Sequence, residues 1–225
     1  MLGVAERHAG ALGAHVLHAG IKDDQRGGLA WADHRQYVVV HHHLESALDL
    51  ADVPWHLWDA VEADLSAQGA RVAPLAAISQ TTDQSRVFAL VREAEQDLPD
   101  PPTVPLSDDD LRVRWYAASA AWPETGAAIL GSGGEPWAVS ANERLGALGN
   151  QVTVEFTAVA RERRMRGLGL AVKLAALALV RDAGIVRVTT SHHASNAPML
   201  AVNRRLGFTP LTGSVYVDKW LGGCW

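Results

Sequence analysis

The chain has 225 residues, 48% of them apolar and 20% charged, with a formal net charge of −5. This is enough apolar side chain for one ample globular domain, or a domain with an appendage, and it excludes a disordered protein. The acidic balance argues against an electrostatic nucleic-acid binder, so the basic cluster Arg161, Arg163, Arg164 and Arg166 stands out locally.

A single cysteine, Cys224, leaves no intramolecular disulfide, and a cytoplasmic setting is the simplest compartment. The N-terminal stretch "MLGVAERHAGALG" has no cationic segment followed by an apolar core, so no export signal is read there. The longest apolar run, residues 168–180, is shorter than the roughly 18 to 20 residues that span a bilayer and contains Lys173. No membrane partner is expected.

From the N-terminus, residues 1–50 read as a fragment. Sliding residues 13–37 onto 184–208 without a gap sets Gly13 on Gly184, Gln25 on Asn196, Leu29 and Ala30 on Leu200 and Ala201, and Tyr37 on Phe208. Only Gly13, Leu29 and Ala30 are identical, so chance is a rival, but the shared plan of strand, loop, helix and aromatic favours a degenerate internal repeat. On that reading residues 1–50 are the back half of a second α/β unit and 51–70 a connection with a helix at 54–68. Residues 71–225 are then the working domain. The fragment's exposed flank would lean on that domain or on another protomer, giving a homodimer through the N-terminal fragment. In a strand over "HHHLE" at 41–45, His42 faces opposite to His41 and His43, so only two imidazoles could share an ion. No metal is expected.

Further on, residues 71–78 predict a strand, 81–97 a helix, and 108–119 a second helix with Ser107 as N-cap and Asp108, Asp109 and Asp110 answering the helix dipole. A proline-punctuated connection, "DLPDPPTVP", separates the two helices. Residues 126–144 predict a hairpin turning at 132–135. Trp115, Trp122 and Trp137 are candidates to line a pocket for a cationic acceptor, with ordinary packing as the alternative. Near-alternation predicts a strand over 151–159, followed by an apolar helix at 168–182, a strand at 185–190, a helix at 197–206 and a last strand at 214–220. Strand, helix and strand in this order make a crossover, so the expected fold is α/β with a mixed, partly parallel sheet flanked by helices.

Between strand and helix stands Arg164-x-x-Gly167-x-Gly169. A Walker loop would need Lys-Ser/Thr after the glycine, and a Rossmann fingerprint a third small residue where Val172 sits, so both readings fail. Backbone amides at a helix start are unsatisfied, glycines let a diphosphate approach them, and arginines add charge. A tight turn with solvated arginines is the plain alternative.

The segments "AVARERRMRGLGLAVKLAALALVRDAG" and "SNAPMLAVNRRLGF" resemble, in order and spacing, the two consecutive cofactor segments of the general-control-related N-acetyltransferase (GNAT) superfamily. The whole chain is similar to tandem members with a degenerate N-terminal copy. The resemblance implies an acyl-CoA-dependent N-acyltransferase, acetyl-CoA as cosubstrate and a small-molecule primary amine as acceptor. It implies a diphosphate cradle from the backbone of Arg164 to Ala171, taking in Arg166, Gly167, Leu168, Gly169 and Leu170. Ala158, Val159 and Ala160 would pair their main chain with the pantetheine arm, and Asn196 would hydrogen-bond it.

Asn203 stands where many members carry a tyrosine acid toward the departing thiolate, and an amide cannot deliver that proton. A non-catalytic acyl-CoA-binding module is therefore the alternative. Glu155, sharing a face with Thr157 and Val159 by strand parity, is the candidate base, with a structural ion pair as its other reading. His192 and His193 could relay a proton, although a polar loop is the simpler role.

Overall fold

The structure is a computed structural model describing residues 2–81, 84–99, 101, 104–117, 126–145 and 149–221. The chain opens with α1 (Leu2–Ala11), β1 (Val16–Lys22), α2 (Arg26–His34), β2 (Val38–Asp49) and α3 (His56–Ala67). It continues through β3 (Arg71–Pro74), α4 (Leu75–Thr81), α5 (Gln84–Glu95) and α6 (Asp108–Leu111), the last running into a wider π-turn at Arg112–Ala117. The C-terminal half holds β4 (Gly126–Leu130), β5 (Pro136–Arg144), β6 (Gln151–Val159), α7 (Leu168–Asp182), β7 (Arg187–His193), α8 (Ala197–Leu206), β8 (Thr209–Pro210) and β9 (Ser214–Trp220).

Two compact units result. The larger runs from Ser46 to Ser191 and adds Asn196–Thr209; the smaller takes the described residues up to Glu45, His192–Ser195 and the chain from Pro210 onward. Compactness thus divides the chain elsewhere than at residues 50 and 70. The last strand, assigned from sequence to the domain 71–225, falls with the N-terminal residues because β9 pairs antiparallel with both β1 and β2.

In the larger unit the strands lie in the order β7-β6-β5-β4-β3, with β6 and β7 parallel and the other pairs antiparallel. This is the expected mixed α/β sheet. One face carries Leu75, Ile78, Val87, Phe88 and Leu111 from α4, α5 and α6, packed on Leu130, Val139 and Ala158. The other carries α7, whose Leu170, Leu174 and Leu177 meet Val152, Val154 and Val188. Side chains of this size each contribute about 1.5–3 kcal/mol when buried, so α7 is held chiefly by its apolar surface.

The expected strand at 71–78 stops at Pro74. Proline offers no ladder N–H there, and the run "LAAI" that follows suits a helix whose Leu75 and Ile78, three apart, are fully buried. The strand expected at 185–190 lies at Arg187–His193 instead, because Ile185 and Val186 are still closing the turn after α7 onto Val180 and Asn150. His192 and His193 therefore end a strand, where a loop was expected. Ser107 caps α6 reciprocally with Asp110, as expected of an N-terminal box.

The smaller unit is a three-stranded antiparallel sheet, β1-β9-β2, with Ile21, Ala32, Tyr37 and Val217 forming its core. Its backbone follows the alignment of residues 13–37 on 184–208 closely. Gly13 and Gly184 both have φ of 80°. The N-caps Gln25 and Asn196 have φ, ψ of −84°, 67° and −78°, 67°. The strands β1 and β7 begin and end at aligned residues.

Candidate active site

The parallel pairing of β6 with β7 lasts only from Gln151–Arg187 to Val154–Thr190, after which the strands part. On its other side β6 goes on pairing with β5 up to Val159, but with a bulge: Ala141 faces Phe156 and Asn142 faces Val154, leaving Glu155 as the extra residue. The bulge turns the strand over. Val152 and Val154 join the α7 core, whereas Phe156, Ala158 and Ala160 join the opposite one. Alternation from Glu155 to Thr157 and Val159, the basis for giving them a common face, is therefore broken at Glu155 itself. Thr157 bonds Ser140 hydroxyl to hydroxyl at 3.1 Å, and Glu155 is half-buried where the strands diverge.

Beyond β6 the chain makes a short 3-10 turn at Arg161–Arg163 and enters α7 through Gly167. Gly167 is the N-cap, with φ of 80° and no side-chain cap bond, and open space where a Cβ would stand. The first-turn amides of Leu168, Gly169 and Leu170 thus start a 15-residue helix that no side chain caps among the described residues. A Cβ added at Gly169 would touch Val159 of β6 and Val202 of α8, each at 3.8 Å. The turn, the free edge of β6 and α8 therefore adjoin one another. Such a set fits a ligand with an anionic end at the amides and an extended arm along the strand.

The arginines stand otherwise than a ring around that anion. Arg161 and Arg164 both bind Asp97, with contacts of 2.7 to 2.9 Å. Arg164 also donates Nε to the Val159 carbonyl at 3.0 Å, taking an acceptor expected for the arm. Arg163 lies over the Trp137 ring at 4.0 Å, while Arg166 is exposed. Of the expected cradle, the amides of Arg164 and Ala171 are spent on the carbonyls of Arg161 and Gly167, which leaves the helix-start amides of Leu168 to Leu170 and the exposed Arg166.

Asn196 spends its side-chain oxygen capping α8 through the Met199 amide. Asn203 is buried on α8, and its Oδ1 accepts a 2.6 Å bond from Lys173 of α7, itself buried. Lys173 and Asp97 were missed as site residues. Lys173 had a signal, a lone cation inside an apolar run; Asp97 had none, since it meets Arg161 across 64 positions.

Trp115 packs in the core beside Phe156, and buried Trp137 closes on Gly131, so both have packing roles; Trp122 lies outside the described residues, as does Cys224. In the smaller unit His41 and His43 share a face around Tyr216, and His42 turns the other way to Asp23. Among the described residues no group of three or more ligating side chains is arranged to hold a metal, and no helix is long and apolar enough to cross a membrane.

A mixed sheet whose parallel strands part beside an uncapped, glycine-started helix is the GNAT fold, and this chain has it. Solved structures bear this out. A GCN5-related N-acetyltransferase from Sphaerobacter thermophilus matches with a TM-score of 0.72 at 16% identity, over 92% of this chain and 60% of that one. A tandem GNAT protein from the clavulanic acid biosynthesis pathway, solved without AcCoA, gives 0.67 at 18% identity over 99% of this chain and 69% of its own. A GCN5-related N-acetyltransferase from Kribbella flavida gives 0.63 at 18%, over 99% of this chain and 74% of its own. The chain therefore spans 60% of the Sphaerobacter protein's length. No family model matches the chain, and no curated protein matches it in sequence.

Proposed function

We propose that the protein is an acyl-CoA-dependent N-acyltransferase that moves acetyl from acetyl-CoA directly to a primary amine of a small molecule. The observation that carries this reading is the start of α7 at left-handed Gly167, an N-cap without a side chain, lying against the end of β6 that no longer pairs with β7. The amides of Leu168 to Leu170 would take the diphosphate and the main chain of Ala158 to Ala160 the arm. Arg166 would add charge, and the Asn196 amide nitrogen, which takes no part in the cap bond, would donate to the arm. The fold shared with N-acetyltransferases supports acyl transfer as the class of chemistry.

In the gap between β6 and β7 the acceptor nitrogen attacks the thioester carbonyl. A C–N bond forms, the C–S bond breaks with its electron pair on sulfur, and the amine's surplus proton passes to Glu155 or to water. What supports Glu155 in this role is its backbone position, as the bulged residue directly after the last β6–β7 pair. The test is to incubate the protein with acetyl-CoA and a panel of amines while following free thiol, beside a CoA titration by calorimetry. Amine-dependent thiol release supports the transferase. CoA binding without turnover on any amine leaves the non-catalytic binding module, and no CoA binding ends both.

A further inference from the structure

The peptide between Val159 and Ala160 is trans, and this fixes where the end of β6 is open. The Ala160 N–H donates to the Trp137 carbonyl of β5 at 2.9 Å, so the Val159 carbonyl, on the opposite side of the same peptide plane, points away from β5. That is the side on which β7 lies as far as the Val154–Thr190 pair, and from which it then parts. Val159 therefore presents the acceptor that a strand-like arm, added at this edge, would use.

The acceptor is already engaged. Arg164, five residues on, curls back so that its Nε donates to the Val159 carbonyl at 3.0 Å, while its Nη1 meets the Asp97 carboxylate at 2.7 Å. Asp97 is held in turn by Arg161, through Nε at 2.9 Å and Nη2 at 2.7 Å, and the Arg161 amide donates to Glu93 of α5 at 3.0 Å. An added strand runs about 4.8 Å from its neighbour, so a planar guanidinium bonded to the carbonyl takes up the course that the arm would follow.

We infer that Arg164 is a plug on the open edge of β6 and that Asp97 is the latch that keeps it there, so that the coenzyme's arm enters only when the guanidinium has swung off Val159. This rests on the acyl-transfer reading above. Asp97 is then a positioning residue, which acts through Arg164. The latch lowers the affinity for any ligand carrying the arm by the fraction of molecules in which Arg164 already stands away. Ion pairs as exposed as this one shift such a balance severalfold and no more. In return, the edge is covered against other strands while no coenzyme is bound.

The experiment uses pantetheine, a neutral thiol that carries the arm with neither diphosphate nor nucleotide, beside CoA itself. Calorimetry gives the affinity of each for wild type, Arg164→Ala and Asp97→Asn. The two side chains are 38% and 31% exposed, so both can be replaced without opening the core. Removing either the plug or the latch is expected to tighten pantetheine binding about fivefold. Because pantetheine has no charge, side chains acting only through their electrostatic field, or only on stability, would leave its affinity where it was. Tightening in Arg164→Ala alone overturns Asp97 as the latch. CoA binding by wild type, with pantetheine bound no more tightly by Arg164→Ala or by none of the three, overturns the plug and leaves acyl transfer standing. Failure of wild type to bind CoA removes the acyl-transfer reading and this inference with it.

Discussion

Gln36 and Gly207 close their helices in the same way, 171 residues apart: both have left-handed backbones, with φ of 62° and 93°. The next residues, Tyr37 and Phe208, each return an N–H to the carbonyl five positions back, on Ala32 and Asn203. Glycine holds this conformation without strain, whereas glutamine does not. Gln36→Gly is expected to raise stability by about 1 kcal/mol, and Gly207→Ala to lower it by at least as much. Denaturant unfolding of the two variants checks this, and a destabilised Gln36→Gly would show that its side chain matters more than its backbone.

Asp97 joins the segment after α5 to the turn before α7. The guanidinium groups of Arg161 and Arg164 hold its carboxyl well below the usual carboxylate range. Because the folded value is depressed, the stabilisation is present above the unfolded value near pH 3.9 and is lost as pH falls toward the folded one. Asp97→Asn is therefore expected to be less stable than wild type at pH 5 to 7, with the gap closing progressively below about pH 4. Unfolding both proteins across that range decides it; a gap independent of pH would mean that the pair contributes by packing.

Gly167→Glu brings a side chain into a left-handed position and a negative charge to the helix start. The space there is open, so the fold should survive with a modest loss of stability. CoA binding, measured by calorimetry, is expected to disappear. Undiminished affinity would remove this turn as the diphosphate site.

Glu155→Gln keeps the size of the side chain and removes its basicity. If Glu155 takes the amine's proton, transfer slows by about a hundredfold or more at neutral pH while CoA affinity is unchanged. An unaltered rate assigns the carboxylate to structure.

Lys173 also makes a prediction about stability. Its pKa in the folded protein is about 7, well below the unfolded value near 10.4. Between these values the unfolded chain holds a proton that the folded protein has lost, so stability should rise with pH from about 7 to 10, by up to about 1 kcal/mol per pH unit. Lys173→Met should lack that rise, and a parallel pH dependence in the two proteins would contradict it.

Where local chemistry decides structure, the sequence was legible. The bounds of β6, α7, α8 and β9 follow from alternation and from a thirteen-residue apolar run. The cap at Ser107 was equally plain. Helix α4 was not, because "LAAI" is apolar in either conformation and only burial of Leu75 and Ile78 on one face chooses the helix. The bulge at Glu155 is a property of β6 and β5 together, so no reading of one strand could find it. At the site, the glycine turn was visible as a motif, but the capture of Arg161 and Arg164 by Asp97 depends on a distant side chain. Lys173 was visible as an anomaly in the apolar run, and its meaning needed the partner, Asn203, that folding supplies.

The three-stranded sheet of the smaller unit has a consequence for the order in which the protein is made. Strands β1 and β2 do not pair with each other; each is zipped to β9, which lies between them. During synthesis β1 and β2 emerge long before that central strand, and must wait with open edges until residues 214–220 have left the ribosome. The sheet can thus close only once β9 has been made, and a nascent chain stopped short of Ser214 would expose both strands to aggregation and to chaperones.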